Sequence, residues 1–141
     1  MLTSETIHSS CVARGGTAIL IAGPSGSGKS DLALRLIDRG AVLVSDDSVI
    51  VHQSSSTLNA RAPETIKGKL EVRGVGIVEM ATVQDVPVTL IIDLTEPGDR
   101  FPMEEERRLI AGRSLPVLRL APFEASAAIK AEMAHDRAGL G

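Results

Sequence analysis

Apolar residues in this chain gather in short runs set apart by glycine, proline and polar turns, and most runs have strand length rather than helix length. Ala18-Ile19-Leu20-Ile21-Ala22 reads as a buried strand. Residues 5–14 read as one strand ahead of it, closed by the turn Arg14-Gly15-Gly16. Residues 41–45, 86–94 and 115–120 read as further strands. Residues 49–52 stay extended, Ser54-Ser55-Ser56-Thr57 is a hairpin tip, and residues 58–60 return. The segment 29–39 reads as a helix, with Gly40 at the position after its C-cap. Ala125, Ala128, Ile129 and Met133 recur at helical spacing and predict a C-terminal helix that stops before Gly139, with a frayed end. The charged stretch 104–111 is expected to form a short helix, with Glu104 to Arg108 as its solvated face. Residues 62–68 are a loop or a short helix, and residues 70–78 carry two closely spaced glycines among β-branched residues. The pattern is α/β with more strand than helix and no internal repeat.

Between the strand 18–22 and the helix 29–39 lies Gly23-Pro24-Ser25-Gly26-Ser27-Gly28-Lys29-Ser30, which satisfies G-x-x-x-x-G-K-S at every position. Strand, glycine loop and helix are the context this phosphate-binding motif needs. Its glycines let backbone N–H groups turn toward phosphate oxygens, and the helix N-terminus adds a positive dipole end. Lys29 is expected on the outer phosphates and the Ser30 hydroxyl on Mg²⁺.

Composition narrows the ligand class. The 141 residues suffice for one domain with a core built from Val, Ile, Leu, Ala and Met, because there are only two Phe and no Tyr or Trp. So few aromatic platforms argue against single-strand nucleic acid, and a net charge of −3 argues against duplex. Cys11 is the lone cysteine and is expected to be a small buried residue. No basic-then-apolar leader opens the sequence, and no apolar run approaches the about 20 residues that span a bilayer, so no membrane contact and a cytoplasmic location are expected.

Two sets of carboxylates compete to complete the chemistry. Asp93 ends the apolar run 88–92 as a Walker B acid would, holding Mg²⁺ in an NTPase or small-molecule kinase, and also as a turn-capping acid would. Asp46 and Asp47 end the strand after the phosphate-loop helix, where α/β sheets place ligands, and either can take a proton from an attacking hydroxyl. In an extended segment the two point to opposite faces. His52 and His135, without companions, read as surface residues.

Gly23 to Ser30, Leu43-Val44-Ser45-Asp46-Asp47 and Leu70-Glu71-Val72-Arg73-Gly74-Val75-Gly76-Ile77-Val78 together resemble the catalytic domain of the HPr kinase/phosphorylase family. That domain is a P-loop α/β kinase core, similar around the phosphates to phosphoenolpyruvate carboxykinase. The resemblance implies ATP-dependent phosphorylation of a serine on HPr, the phosphocarrier of the sugar phosphotransferase system, and removal of that phosphate. It implies that Lys29 binds the β- and γ-phosphates and that Ser30 and Glu71 hold Mg²⁺. It implies that Asp46-Asp47 supplies the base for phosphorylation and the acid for dephosphorylation, with Asp47 the choice. His8 would assist beside that carboxylate. Arg73 and the two glycines would shape the phosphate and HPr contact, Arg100 would match a catalytic arginine, and Pro116-Val117-Leu118-Arg119 would match a flexible loop near the site. Family members form hexamers.

The chain departs from the family in three places. It corresponds to the kinase core alone, so residues 1–141 are expected to be one P-loop catalytic domain without the N-terminal domain of long members. Asp31 replaces the usual Glu after the Gly-Lys-Ser triplet. Ala121-Pro122-Phe123-Glu124 stands where the family has a P-x-x-P-G-R-N-like stretch, which bears on phosphorylase activity. A nucleotide sensor without transfer is the non-enzymatic alternative.

Overall fold

A computed structural model of the chain describes residues 4–96 and 104–140. Eleven strands and two helices occur among them, in the order β1 (Ser4–Ile7), β2 (Ser9–Arg14), β3 (Thr17–Ala22), α1 (Lys29–Asp38), β4 (Val42–Ser45), β5 (Val49–Ser54), β6 (Thr57–Arg61), β7 (Lys69–Val72), β8 (Gly76–Glu79), β9 (Val86–Asp93), β10 (Glu106–Ile110), β11 (Arg113–Arg119) and α2 (Ala127–Leu140). Nine strands form one sheet in the order β1-β5-β6-β9-β3-β2-β4, with β11 added to β9 and β10 to β11. β3, β9 and β11 run parallel, while β2 is antiparallel to both β3 and β4.

The central strands β3 and β9 carry near-continuous apolar runs, residues 18–22 and 90–92, because both faces are covered. Ile19, Ile21, Leu90 and Ile92 join Leu32, Leu36, Ala127 and Ala131 of the helices on one face. Leu20 and Ile91 point the other way, into a second core with Cys11, Val51, Leu58 and Leu115. Leu32 and Leu36 are wholly buried, each contributing about 1.5–3 kcal/mol of apolar transfer to the docking of α1. The end of α1 is closed by Gly40 N–H to Ile37 O and Ala41 N–H to Leu36 O, as Gly40 at φ 112° permits. β7 and β8 form a separate hairpin, anchored by the buried Leu70.

Several expectations need correction. The strand expected over 5–14 is two strands, broken at His8: β1 pairs with β5, whereas β2 pairs with β3 and β4. The helix expected over 104–111 is instead strand β10. Its residues favour helices, but pairing Arg107 with Pro116 and Arg108 with Leu115 outweighs a weak local preference. The C-terminal helix begins at Ala127 and passes through Gly139. It packs by Ala127, Ala128 and Ala131, leaving Ile129 and Met133 exposed, so its expected apolar stripe is rotated. Residues 116–119 lie within β11 rather than in a flexible loop. His135 is buried and His52 half-buried, not superficial. No helix among the described residues is long and apolar enough to cross a membrane.

Candidate active site

The phosphate loop leaves β3 at Ala22 and enters α1 at Lys29. Gly23, at φ 155°, has no room for a side chain: a Cβ there would lie 2.5 Å from Ser27 Oγ. Gly28 is the N-cap of α1 in the left-handed region, with no side chain capping the helix, so the first-turn N–H groups remain available to an anion. Ser27 Oγ, next to Gly23, is buried and without a hydrogen-bond partner. The Lys29 ammonium is nearly buried. It donates to Gly23 O at 2.9 Å and Pro24 O at 3.1 Å, which offsets the cost of desolvating it.

Asp46 and Asp47 diverge. Asp46 is buried and accepts from Ser10 Oγ at 2.8 Å and Ser30 Oγ at 2.6 Å on one oxygen, and from the Glu71 backbone N–H at 3.0 Å on the other. Asp47 takes φ 64°, a left-handed conformation that aspartate tolerates, and its N–H donates to Ser10 Oγ at 3.2 Å. That turn throws its carboxylate outward, 63% exposed, to 3.4 Å from His8 Nε2 and 3.9 Å from Lys29 Nζ. His8 Nε2 stands 3.4 Å from Lys29 Nζ as well. Unprotonated, that nitrogen accepts from Lys29; protonated, it donates to Asp47. The break between β1 and β2 at His8 swings this imidazole over the loop.

Asp93 lies in register with Ala22, beside the loop, as a Walker B acid should. Its carboxylate is engaged elsewhere. Arg108 donates to it at 2.6 Å, the Thr95 N–H at 2.8 Å, and Arg119 stands at 3.9 Å. Burial alone would raise its pKa, but the hydrogen bonds from Arg108 and Thr95 prevail and hold it below the usual carboxylate range.

The loop residues, His8, Lys29, Ser30, Asp46 and Asp47 therefore converge. Glu71 joins them through its backbone, with its own carboxylate exposed. Arg73 is exposed on the β7–β8 hairpin, and Arg100 lies outside the described residues. Sequence reasoning missed Ser10, which ties the two acids together, and Arg108, which neutralises Asp93. Neither sits in a motif; the one hint for Ser10 was a polar residue inside an apolar strand.

Comparison with known proteins gives the family. The family described as HPr Serine kinase C-terminal domain matches residues 1–126. The chain belongs to the HPr serine kinase C-terminal domain family. HPr kinase/phosphorylase of Geobacillus thermodenitrificans is 39% identical over 128 residues, covering 82% of this chain and 41% of that protein. The Azoarcus enzyme of the same name is 38% identical over 115 residues, 72% of this chain and 37% of its own length. The chain thus spans about two-fifths of the curated relatives it matches. The structure of the HPr(Ser) kinase/phosphatase from Coxiella burnetii superposes with a TM-score of 0.80 at 25% identity, covering 94% of this chain and 90% of that one. The P-loop kinase core of the family, with its mixed α/β curled sheet, is the fold of this chain.

The chemistry of the site fits a nucleotide. The uncapped N–H groups of α1 and the Lys29 ammonium are donors of the kind a phosphate accepts from. Ser30 Oγ is a hard donor of the kind Mg²⁺ prefers, and the exposed Glu71 carboxylate, on the strand whose N–H bonds Asp46, is another. Among the described residues no group of three or more His, Cys, Asp and Glu stands close enough to hold a metal unaided. Mg²⁺ in phosphoryl transfer takes only one or two protein carboxylates and shares the substrate phosphates.

Proposed function

We propose that residues 1–141 act as the catalytic unit of an ATP-dependent serine kinase whose acceptor is an HPr-type phosphocarrier protein, with reversal by phosphorolysis at the same site. The observation that carries this reading is Asp47: a solvent-facing carboxylate at the mouth of the phosphate loop, flanked by His8 and Lys29. A nucleotide sensor needs no such base. Lys29 and the loop N–H groups hold the β- and γ-phosphates. Mg²⁺, held by Ser30 and Glu71, would neutralise charge on the phosphate oxygens. Asp47 accepts the serine hydroxyl proton as the serine oxygen bonds to the γ-phosphorus and the bond to ADP breaks. In reverse, the protonated Asp47 returns its proton to the serine oxygen as inorganic phosphate attacks phosphoserine, yielding pyrophosphate. His8 orients Asp47. Asp46 is buried and fully hydrogen-bonded, which supports a positioning role for it, aligning Ser30 and the Glu71 strand.

The acceptor seats on the β7–β8 hairpin, where Val75 and Ile77 are 74% and 70% exposed beside Arg73. An NTPase built on Asp93 is disfavoured because Arg108 already neutralises that carboxylate.

Asp47→Asn separates the readings. Asparagine keeps the left-handed backbone and removes the base. Phosphoryl transfer to HPr should fall by about 10²–10⁴-fold, the usual worth of a general base, with ATP affinity retained. A transfer rate equal to wild type contradicts Asp47 as the base.

A further inference from the structure

On the side of the phosphate loop away from Asp47, the linker between β11 and α2 carries an aromatic ring that the transfer chemistry leaves unused. β11 runs parallel to β9 and β3, so this linker leaves the sheet at the same carboxyl end as the loop, the end where α/β sheets bind ligands. It is held firmly. The Leu120 N–H donates to Asp93 O at 3.1 Å, and Arg35 of the loop's own helix donates to the carbonyls of Pro122 and Glu124, on both sides of Phe123. Glu124 is further paired with Lys130 at 2.7 Å. Between these braces the Phe123 side chain is 72% exposed, yet its ring edge abuts the last glycine of the loop: a Cβ on Gly28 would lie 3.0 Å from Phe123 Cζ. A lone exposed Phe needs no explanation. One braced from both sides by the phosphate-loop helix, in a chain with only two Phe and no Tyr or Trp, does.

Sheet order gives the direction. Across β4-β2-β3-β9-β11, Asp47 follows β4 and Phe123 follows β11, on opposite sides of the loop strand β3. A triphosphate whose reacting end points to Asp47 and Lys29 runs back across the start of α1, and its nucleoside end emerges on the β11 side.

We propose that Phe123 is the base platform of the nucleotide site: the purine of ATP stacks on the exposed ring while Gly28, against the ring edge, hands its phosphates to the loop. The proposal rests on the ATP-dependent reading above. It also gives a use, in this chain, to a stretch that departs from the family pattern.

Calorimetric titration of the full chain with Mg²⁺-ATP and with Mg²⁺-tripolyphosphate tests it. Phe123→Ala should weaken ATP about tenfold, as loss of one stacked base does, and leave tripolyphosphate unchanged. Phe123→Tyr should retain ATP affinity. Phe123→Trp places a single indole in a chain that has none, and ATP but not tripolyphosphate should quench its fluorescence. Equal weakening of both ligands by Phe123→Ala, or no change in ATP affinity, overturns the platform while leaving the phosphate site standing. Failure of the wild type to bind tripolyphosphate overturns the phosphate site and the platform together.

Discussion

Asp46 and Asp47 are chemically identical neighbours, and the left-handed backbone at Asp47 leaves them in different surroundings. The left-handed turn at Asp47 leaves Asp46 inside, with three hydrogen bonds, and Asp47 outside, next to His8 and Lys29. The sequence could show that two acids end a strand beside a phosphate loop. It could not show which one is consumed by hydrogen bonds, because Ser10 arrives from a different strand. The same limit governs Asp93. Its place at the end of β9 was legible from the apolar run before it, but its neutralisation by Arg108 comes from β10, a strand the composition disguised as helix. Asp93→Ala should therefore act on the fold rather than on the chemistry. It strips a charged partner from Arg108, costing about 1.5–3 kcal/mol in urea unfolding, with transfer per folded molecule retained. Loss of transfer without loss of stability would return Asp93 to the metal site.

At the scale of elements, strands covered on both faces announced themselves as apolar runs, and α1 was fixed by the motif before it and Gly40 after it. α2 was found but turned the wrong way, because its packing face is alanine and the larger Ile129 and Met133 face solvent. Polar contacts add to that alanine packing. Arg14 donates to Asp136 at 2.6 Å and to His135 Nδ1 at 3.1 Å, so the His135 Nε2–H donates to Thr17 Oγ1 at 2.7 Å. Burial, and then the charge of Arg14, push the His135 pKa below its ordinary 6.5, against the opposing pull of Asp136. The folded state therefore binds fewer protons at this site than the unfolded chain does. Its stability is complete above the unfolded value and is lost as pH falls from there toward the lowered folded value. The melting temperature should drop as pH falls below about 6.5, and His135→Gln should flatten that dependence. An equal slope in the variant would place the pH sensitivity elsewhere.

For the molecule as a whole, the sheet does the assembling. The order β4-β2-β3-β9 sets the strand that ends in the two acids one strand away from the phosphate-loop strand, and the break at His8 brings β2's entry across the top of both. None of that neighbourhood can be read from hydrophobic pattern alone, since β2 lies between β3 and β4 in space but precedes both in sequence. The three motifs that carry the family resemblance mark it instead, because each contributes to one constellation. The chain holds that constellation within about two-fifths of the length of its curated relatives. Whether it performs the transfer by itself is tested most directly by incubating the pure protein with Mg²⁺-ATP and HPr and weighing HPr by intact mass spectrometry. The expected result is one phosphoryl group gained on HPr, placed on a serine by fragmentation and removed when inorganic phosphate replaces ATP. HPr unchanged in mass, under conditions where calorimetry shows ATP bound, would contradict the kinase.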